Sequence, residues 1–188
     1  MQIASLISTL TEPMVLVMFL MGVGAWQAGL RDSALVSFLI YIGVFSLASL
    51  ILRRLAMKRL DVNWDISDRS KRVKSLIPFL GICAVFFSVI FMWGNNALSD
   101  FGISLIVWLA GFSLITLRAK ISGHMAVYML TFGYMIIWFG AVWWLFLLAL
   151  PLVAWSRLVL KRHTLYEVIG GTLYSIFFLL IFMQFFER

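Results

Sequence analysis

Residues 117–139 read LRAKISGHMAVYMLTFGYMIIWF. A polar break, Leu117 to His124, opens onto Met125 to Phe139, a run without a single charge. A charge at bilayer depth costs at least about 2.5 to 3.5 kcal/mol, so ionisable groups gather where apolar segments end. In the rest of this hydrophobic second half only one other break carries charge, and it holds Ser156-Arg157, His163 and Glu167. The stretch therefore reads as the start of a membrane helix with a polar cluster at its end. The chain reads as an all-α, polytopic transmembrane bundle whose site lies at one membrane face.

Composition agrees with that reading. With 188 residues, 63% hydrophobic and 12% charged, the sequence lies outside the range of ordinary soluble domains. Crossing about 30 Å of hydrocarbon takes roughly 20 helical residues, fewer where neighbours bury a short helix. Seven runs qualify, at residues 13–30, 35–53, 76–94, 100–117, 123–139, 141–156 and 166–186. The fifth and sixth are separated only by Gly140 and require a tight helical hairpin. Without it the count falls to six or five, so the expectation is a single domain, 1–188, of about seven (six to seven) helices. Residues 2–12, with Ser, Thr and Glu12, extend the first helix or lie at the interface, and Pro13 suits a first helical turn. The first strongly apolar run begins at Met14 with no basic region before it, so no cleavable signal is expected.

The one sizeable loop, residues 54–75, carries most of the charge. Arg53, Arg54, Lys58 and Arg59 are expected to carry the second helix into the headgroup layer, and Ser67 or Asp68 to cap a further helix. Asn95-Asn96 marks a turn on the opposite side. Thirteen Lys or Arg lie on the side of the polar cluster against Arg31 and Arg188 on the other, which by the positive-inside rule places the cluster in the cytoplasm. The expected location is the prokaryotic inner (cytoplasmic) membrane. The net charge of +7 adjoins the spans, so the expected partner is the lipid bilayer with its anionic headgroups and not nucleic acid. The single cysteine, Cys83, permits no disulfide within the chain.

Ser122-Gly123-His124 is followed by Ser156-Arg157, five intervening residues, His163, three more, and Glu167. This spacing resembles the type 2 phosphatidic acid phosphatase superfamily, whose blocks read P-S-G-H and S-R-x5-H-x3-D and sit between membrane helices. Ile121 stands where that family has proline, and Glu167 where it has aspartate. The family's first block, K-x6-R-P, has no literal match; residues 65–72, DISDRSKR, take its place. The resemblance covers roughly residues 65–170. It implies a membrane phosphatase acting on a lipid phosphate, with no metal or other cofactor.

Under that resemblance His163 is the nucleophile that forms a phosphohistidine. Its other nitrogen is expected to be held by Glu167, four residues on along one helical face. His124 would protonate the leaving alkoxide. The planar fork of Arg157 would bind the non-bridging oxygens. Backbone amides of Ser122 and Gly123, opening the fifth helix, would add donors. Lys120 and one or more of Arg69, Lys71 and Arg72 would complete the cradle.

Each assignment has a plainer competitor. Histidines at membrane-helix ends are often interfacial polar residues, yet both histidines of the chain fall at motif positions. Lys161 and Arg162 read as topology anchors, and Gly170-Gly171 as a site of close helix approach. Asp65 and Asp68 read as partners that orient Arg69 or Arg72; with His124, His163 and Glu167 they are alternatively a divalent-metal site. A transporter would carry its charges at mid-depth. A non-catalytic, lipid-binding member of the family is the remaining alternative.

Overall fold

The computed structural model describes residues 1–60 and 69–186, with side chains throughout except at 53, 56–60, 69–79 and 185–186. Every regular element among them is helical: α1 (Gln2–Leu10), α2 (Pro13–Gln27), α3 (Asp32–Leu60), α4 (Arg69–Met92), α5 (Asn96–Arg118), α6 (Gly123–Phe139), a 3₁₀ turn (Ala141–Trp143), α7 (Trp144–Leu147), α8 (Leu150–Val159) and α9 (Leu165–Phe186). Five stretches are long and apolar enough to cross a membrane, Gln2–Gln27, Asp32–Leu52, Asn96–Arg118, Ala141–Val159 and Leu165–Gln184. Leu80–Met92 and Gly123–Phe139 are shorter apolar helices. Each of the seven expected runs coincides with one of these seven. The basic end of the second run is helical through Leu60, as its sequence implies.

Two runs differ in detail. Residues 141–156 are not one helix: the chain passes through the 3₁₀ turn and α7 before α8 begins at Leu150. Pro151 sits in the first turn of α8, the one helical position where its missing N–H is harmless. The Gly140 hairpin forms, with Gly140 at φ 85°, a conformation L side chains rarely adopt. The first run is preceded by a separate helix, α1, interrupted at Thr11-Glu12 where Pro13 opens α2.

The described residues gather into two compact units, 1–20 with 119–188 and 21–118. The unit of residues 21–118 packs rings. Tyr41 stacks on Phe86 at 5.2 Å and donates its hydroxyl to the Phe86 carbonyl at 2.9 Å. Phe38 meets Trp93 edge-on at 5.3 Å. Phe101 fills the space beside Gly24, where a Cβ would fall 2.2 Å from its ring. The expected turn forms at Asn95, whose Oδ1 accepts the Leu98 amide at 2.8 Å and caps α5.

The other unit is built around α6, which is buried nearly all round, from Met125 to Val127 on one turn to Tyr134 and Met135 further along. A helix apolar on every side belongs at the centre of a bundle. The α9 helix runs parallel to it: Ser175 Oγ donates to the Ala126 carbonyl at 2.7 Å, and Gly133 lies against Leu179. Between them 141–159 returns along α6, with Phe146 stacked on Phe132 at 4.9 Å and its carbonyl accepting the Tyr128 hydroxyl at 2.7 Å. Because α6 and α9 are parallel, their starts lie at the same end. The α1 helix packs on α8, with Ala4 fully buried.

Candidate active site

Five residues separate Arg157 from His163, and local backbone chemistry explains how they bring the two together. Arg157 lies in the last turn of α8 and is 8% exposed. The helix ends in a Schellman motif: Arg162 N–H donates to the Arg157 carbonyl at 3.0 Å, and Lys161 N–H to that of Leu158 at 3.0 Å. Lys161 holds the left-handed position, φ 53°, that glycine usually takes. The chain therefore reverses sharply after α8 and presents His163 just before α9.

The α9 helix then opens with a capping box. The Glu167 amide meets Thr164 Oγ1 at 3.4 Å, and Glu167 Oε2 accepts the Thr164 amide at 3.2 Å. The same Oε2 lies 2.8 Å from His163 Nδ1. His163 precedes the helix, so the two residues do not share a helical face; the carboxylate reaches back past the first turn instead. The longer side chain of glutamate suits that reach. Thr164-x-x-Glu167 was a readable signal of this arrangement.

The two motif blocks meet here. Ser122 N–H donates to the Glu167 carbonyl at 2.8 Å. A Cβ on Gly171 would fall 2.3 Å from the Ser122 carbonyl oxygen, and one on Gly170 would fall 3.0 Å from Ile121 Cγ2. The glycine pair thus permits the close approach read from the sequence. It also follows that the Ser122 amide, expected to serve a phosphate, already has a backbone partner. The Ser122 hydroxyl does not cap α6, and it is buried with no hydrogen-bond partner among the described residues. Gly123 is the first residue of α6, so its amide lies at the helix start as expected.

Lys120 Nζ donates to the Arg162 carbonyl at 3.1 Å and lies 3.8 Å from Glu167 Oε2. It sits on the carboxylate that holds His163. Burial, chiefly, lowers the pKa of His163 below 6.5; the hydrogen bond that its ring makes to Glu167 works against this, and the charges of Arg157 and Lys120 add to the lowering. The lowered pKa favours the neutral imidazole, and the carboxylate on Nδ1 favours the tautomer that carries its proton there.

Two contacts come from a part of the sequence to which no role was assigned. Arg157 Nη1 donates to Ser8 Oγ at 2.6 Å. His124 Nε2 lies 3.5 Å from Glu12 Oε2, within ion-pair range, although its orientation makes no hydrogen bond and the atom is buried. The structure therefore gathers His163, Glu167, Lys120, Ser122, Arg157 and His124 at one end of one unit and adds Ser8 and Glu12. Arg69, Lys71 and Arg72 open α4 in the other unit, and their side chains lie outside the described residues. Asp65 and Asp68 lie outside them entirely.

Comparison with protein-family models, with curated proteins and with solved structures returns no match.

Proposed function

We propose that the chain is an integral membrane lipid phosphatase, a divergent relative of the type 2 phosphatidic acid phosphatases. One observation carries the reading: the imidazole of His163, its side chain 10% exposed, is held through Nδ1 by a carboxylate at 2.8 Å, with Arg157 and Lys120 near enough to lower its pKa. Fixing Nδ1–H directs Nε2 outward as the nucleophile.

In the first half-reaction Nε2 of His163 attacks phosphorus. A P–N bond forms, the P–O bond to the lipid breaks, and its electron pair goes to the leaving oxygen with a proton from His124. The products are phosphohistidine and an alcohol, or, from a pyrophosphate, phosphohistidine and a lipid monophosphate. In the second half-reaction water attacks phosphorus, the now neutral His124 takes its proton, and phosphate departs from His163. Arg157 neutralises charge on the non-bridging oxygens, where a positioned cation does most in a site shielded from water. Glu167 stabilises the charge that His163 acquires as the bond to phosphorus forms.

The substrate class is a lipid phosphate monoester or pyrophosphate, such as phosphatidate, phosphatidylglycerophosphate or a polyprenyl pyrophosphate. Seven helices span the bilayer, the site faces the cytoplasm, and the membrane is the prokaryotic inner one. An impermeant thiol reagent on intact cells should then label a cysteine placed at position 96 and spare one placed at 70; the reverse pattern would invert the topology. Activity is tested by phosphate release from a panel of these lipids by the purified protein in detergent with chelator. Release that persists in chelator and is blocked by vanadate supports the proposal. Release that stops in chelator and returns with magnesium or zinc would replace it with a metal-dependent mechanism. Lipid binding without release would favour a non-catalytic member of the family.

A further inference from the structure

We infer that Glu12 is a positioning residue, its carboxylate holding the imidazole of His124 as that of Glu167 holds His163. This rests on the phosphatase reading of the site. Three observations carry it.

His124 is the group that must give and take a proton, yet its Nε2 is buried, and the carboxylate of Glu12 lies 3.5 Å from it. An imidazolium withdrawn from water requires a counter-charge. Closing the gap to hydrogen-bond length takes a movement of about 0.5 Å, and catalytic hydrogen bonds are often long before substrate binds. Second, Ser8, one helical turn before Glu12, accepts from Arg157 at 2.6 Å, so a single segment touches both the proton donor and the phosphate-binding cation. Third, α1 is packed into the unit against α8 with Ala4 fully buried, which makes the segment a fixed wall of the site.

The other titratable groups at this end, among the described residues, include Lys120 before α6, Arg157 on α8, Lys161 and Arg162 in the turn after it, and His163, Tyr166 and Glu167 at the start of α9. Glu167 is committed to His163 and Lys120. Glu12 is the second carboxylate the site needs. With Nε2 turned to Glu12, Nδ1 of His124 is the nitrogen that passes the proton to the leaving oxygen.

The test exploits leaving-group chemistry. An alkoxide leaving from phosphatidate needs the proton; a nitrophenolate leaving from p-nitrophenyl phosphate does not. Glu12→Gln in the full chain should cut kcat on phosphatidate by roughly tenfold or more, part of the ~10²–10⁴ that a general acid supplies. The first-turnover burst of p-nitrophenolate, which needs no general acid, should keep its rate within a few-fold, KM should change little, and Glu12→Asp should recover part of the loss on phosphatidate. Equal losses on both substrates, or no loss on either, would overturn the inference. An independent readout is the nitrogen chemical shifts of the two histidines in labelled protein. Glu12→Gln should move those of His124 and leave those of His163 in place. If the wild type released phosphate from neither substrate, the phosphatase reading would fail alone; shifts of His124 that also ignored Glu12→Gln would remove the pairing as well.

Discussion

The two units both pack rings and differ in the polar groups they bury. Residues 21–118 set Tyr41 on Phe86 and Phe38 on Trp93, and the polar side chains buried among those described are the hydroxyls of Ser46, Ser104 and Ser113. The unit of residues 1–20 and 119–188 buries Ser122, Arg157 and Nε2 of His124 at the end where α6 and α9 begin, and leaves the His163 side chain 10% exposed there. Polar groups withdrawn from water cost stability unless they are paired, so a site that concentrates them does so for chemistry and is held together by its own pairs. The comparison can be broken in several places.

The largest effect is expected for His163→Ala. Under the proposed mechanism no phosphohistidine forms without this side chain, and turnover should fall by at least about 10³-fold while the protein stays folded. A residual rate near that of the wild type would remove the site from this unit altogether. Glu167→Gln comes next, at roughly 10²- to 10⁴-fold in kcat with binding nearly intact, since the amide neither supports an imidazolium nor selects the Nδ1–H tautomer. Glu167→Asp should fall between the two, because it keeps the charge and shortens the reach. Thr164→Ala separates the two duties of Glu167. It removes one half of the capping box at a cost of about 1 kcal/mol, read as a lower melting temperature, and should leave turnover within a few-fold.

Glycines sharpen the contrast between the units. Gly171→Ala drives a Cβ to within 2.3 Å of the Ser122 carbonyl, a backbone atom that cannot swing aside. It should separate the motif blocks, costing about 1–3 kcal/mol of stability and most of the activity. Gly43→Ala in α3 meets nothing within 4 Å and should stabilise the protein by about 0.5–1 kcal/mol with turnover unchanged. Equal effects at the two positions would mean that the close contact of α9 with Ser122 is not structural.

The smallest effect is in pH dependence. Under the proposed mechanism His163 must be neutral to attack, and its pKa in the free protein is held below 6.5, so the acid limb of kcat/KM should lie below 6.5. Lys120→Gln removes a charge that lowers this pKa and should move the limb to higher pH; Glu167→Gln removes a raising contribution and should move it lower. The same shift makes the unfolded chain bind the extra proton first. Stability contributed by the neutral imidazole is therefore present above 6.5 and lost as pH falls through the unfolded value toward the folded one.

Much of this was legible in the sequence for physical reasons. Apolar runs bounded by charge located the helices, because helix length and bilayer thickness are linked. The two histidines, Arg157 and Glu167 were legible because few other polar residues occupy the second half. Three features were not read. The break of 141–159 into short helices was announced only by Pro151. The Thr164–Glu167 capping box hid inside a spacing already taken for a helical face. Ser8 and Glu12 could not be found by spacing at all, because their partners lie more than a hundred residues away and a glutamate before Pro13 looks like an ordinary helix start. Contacts between distant segments are fixed by packing, which a single sequence does not display.

The most direct measurement is a rapid acid-free quench of the purified protein with radiolabelled phosphatidate in the presence of chelator, followed by mapping of the label. The account expects a base-stable, acid-labile phosphohistidine on His163 that accumulates in the wild type and is absent from His163→Ala. Phosphate release without any labelled histidine, or label on another residue, would contradict it.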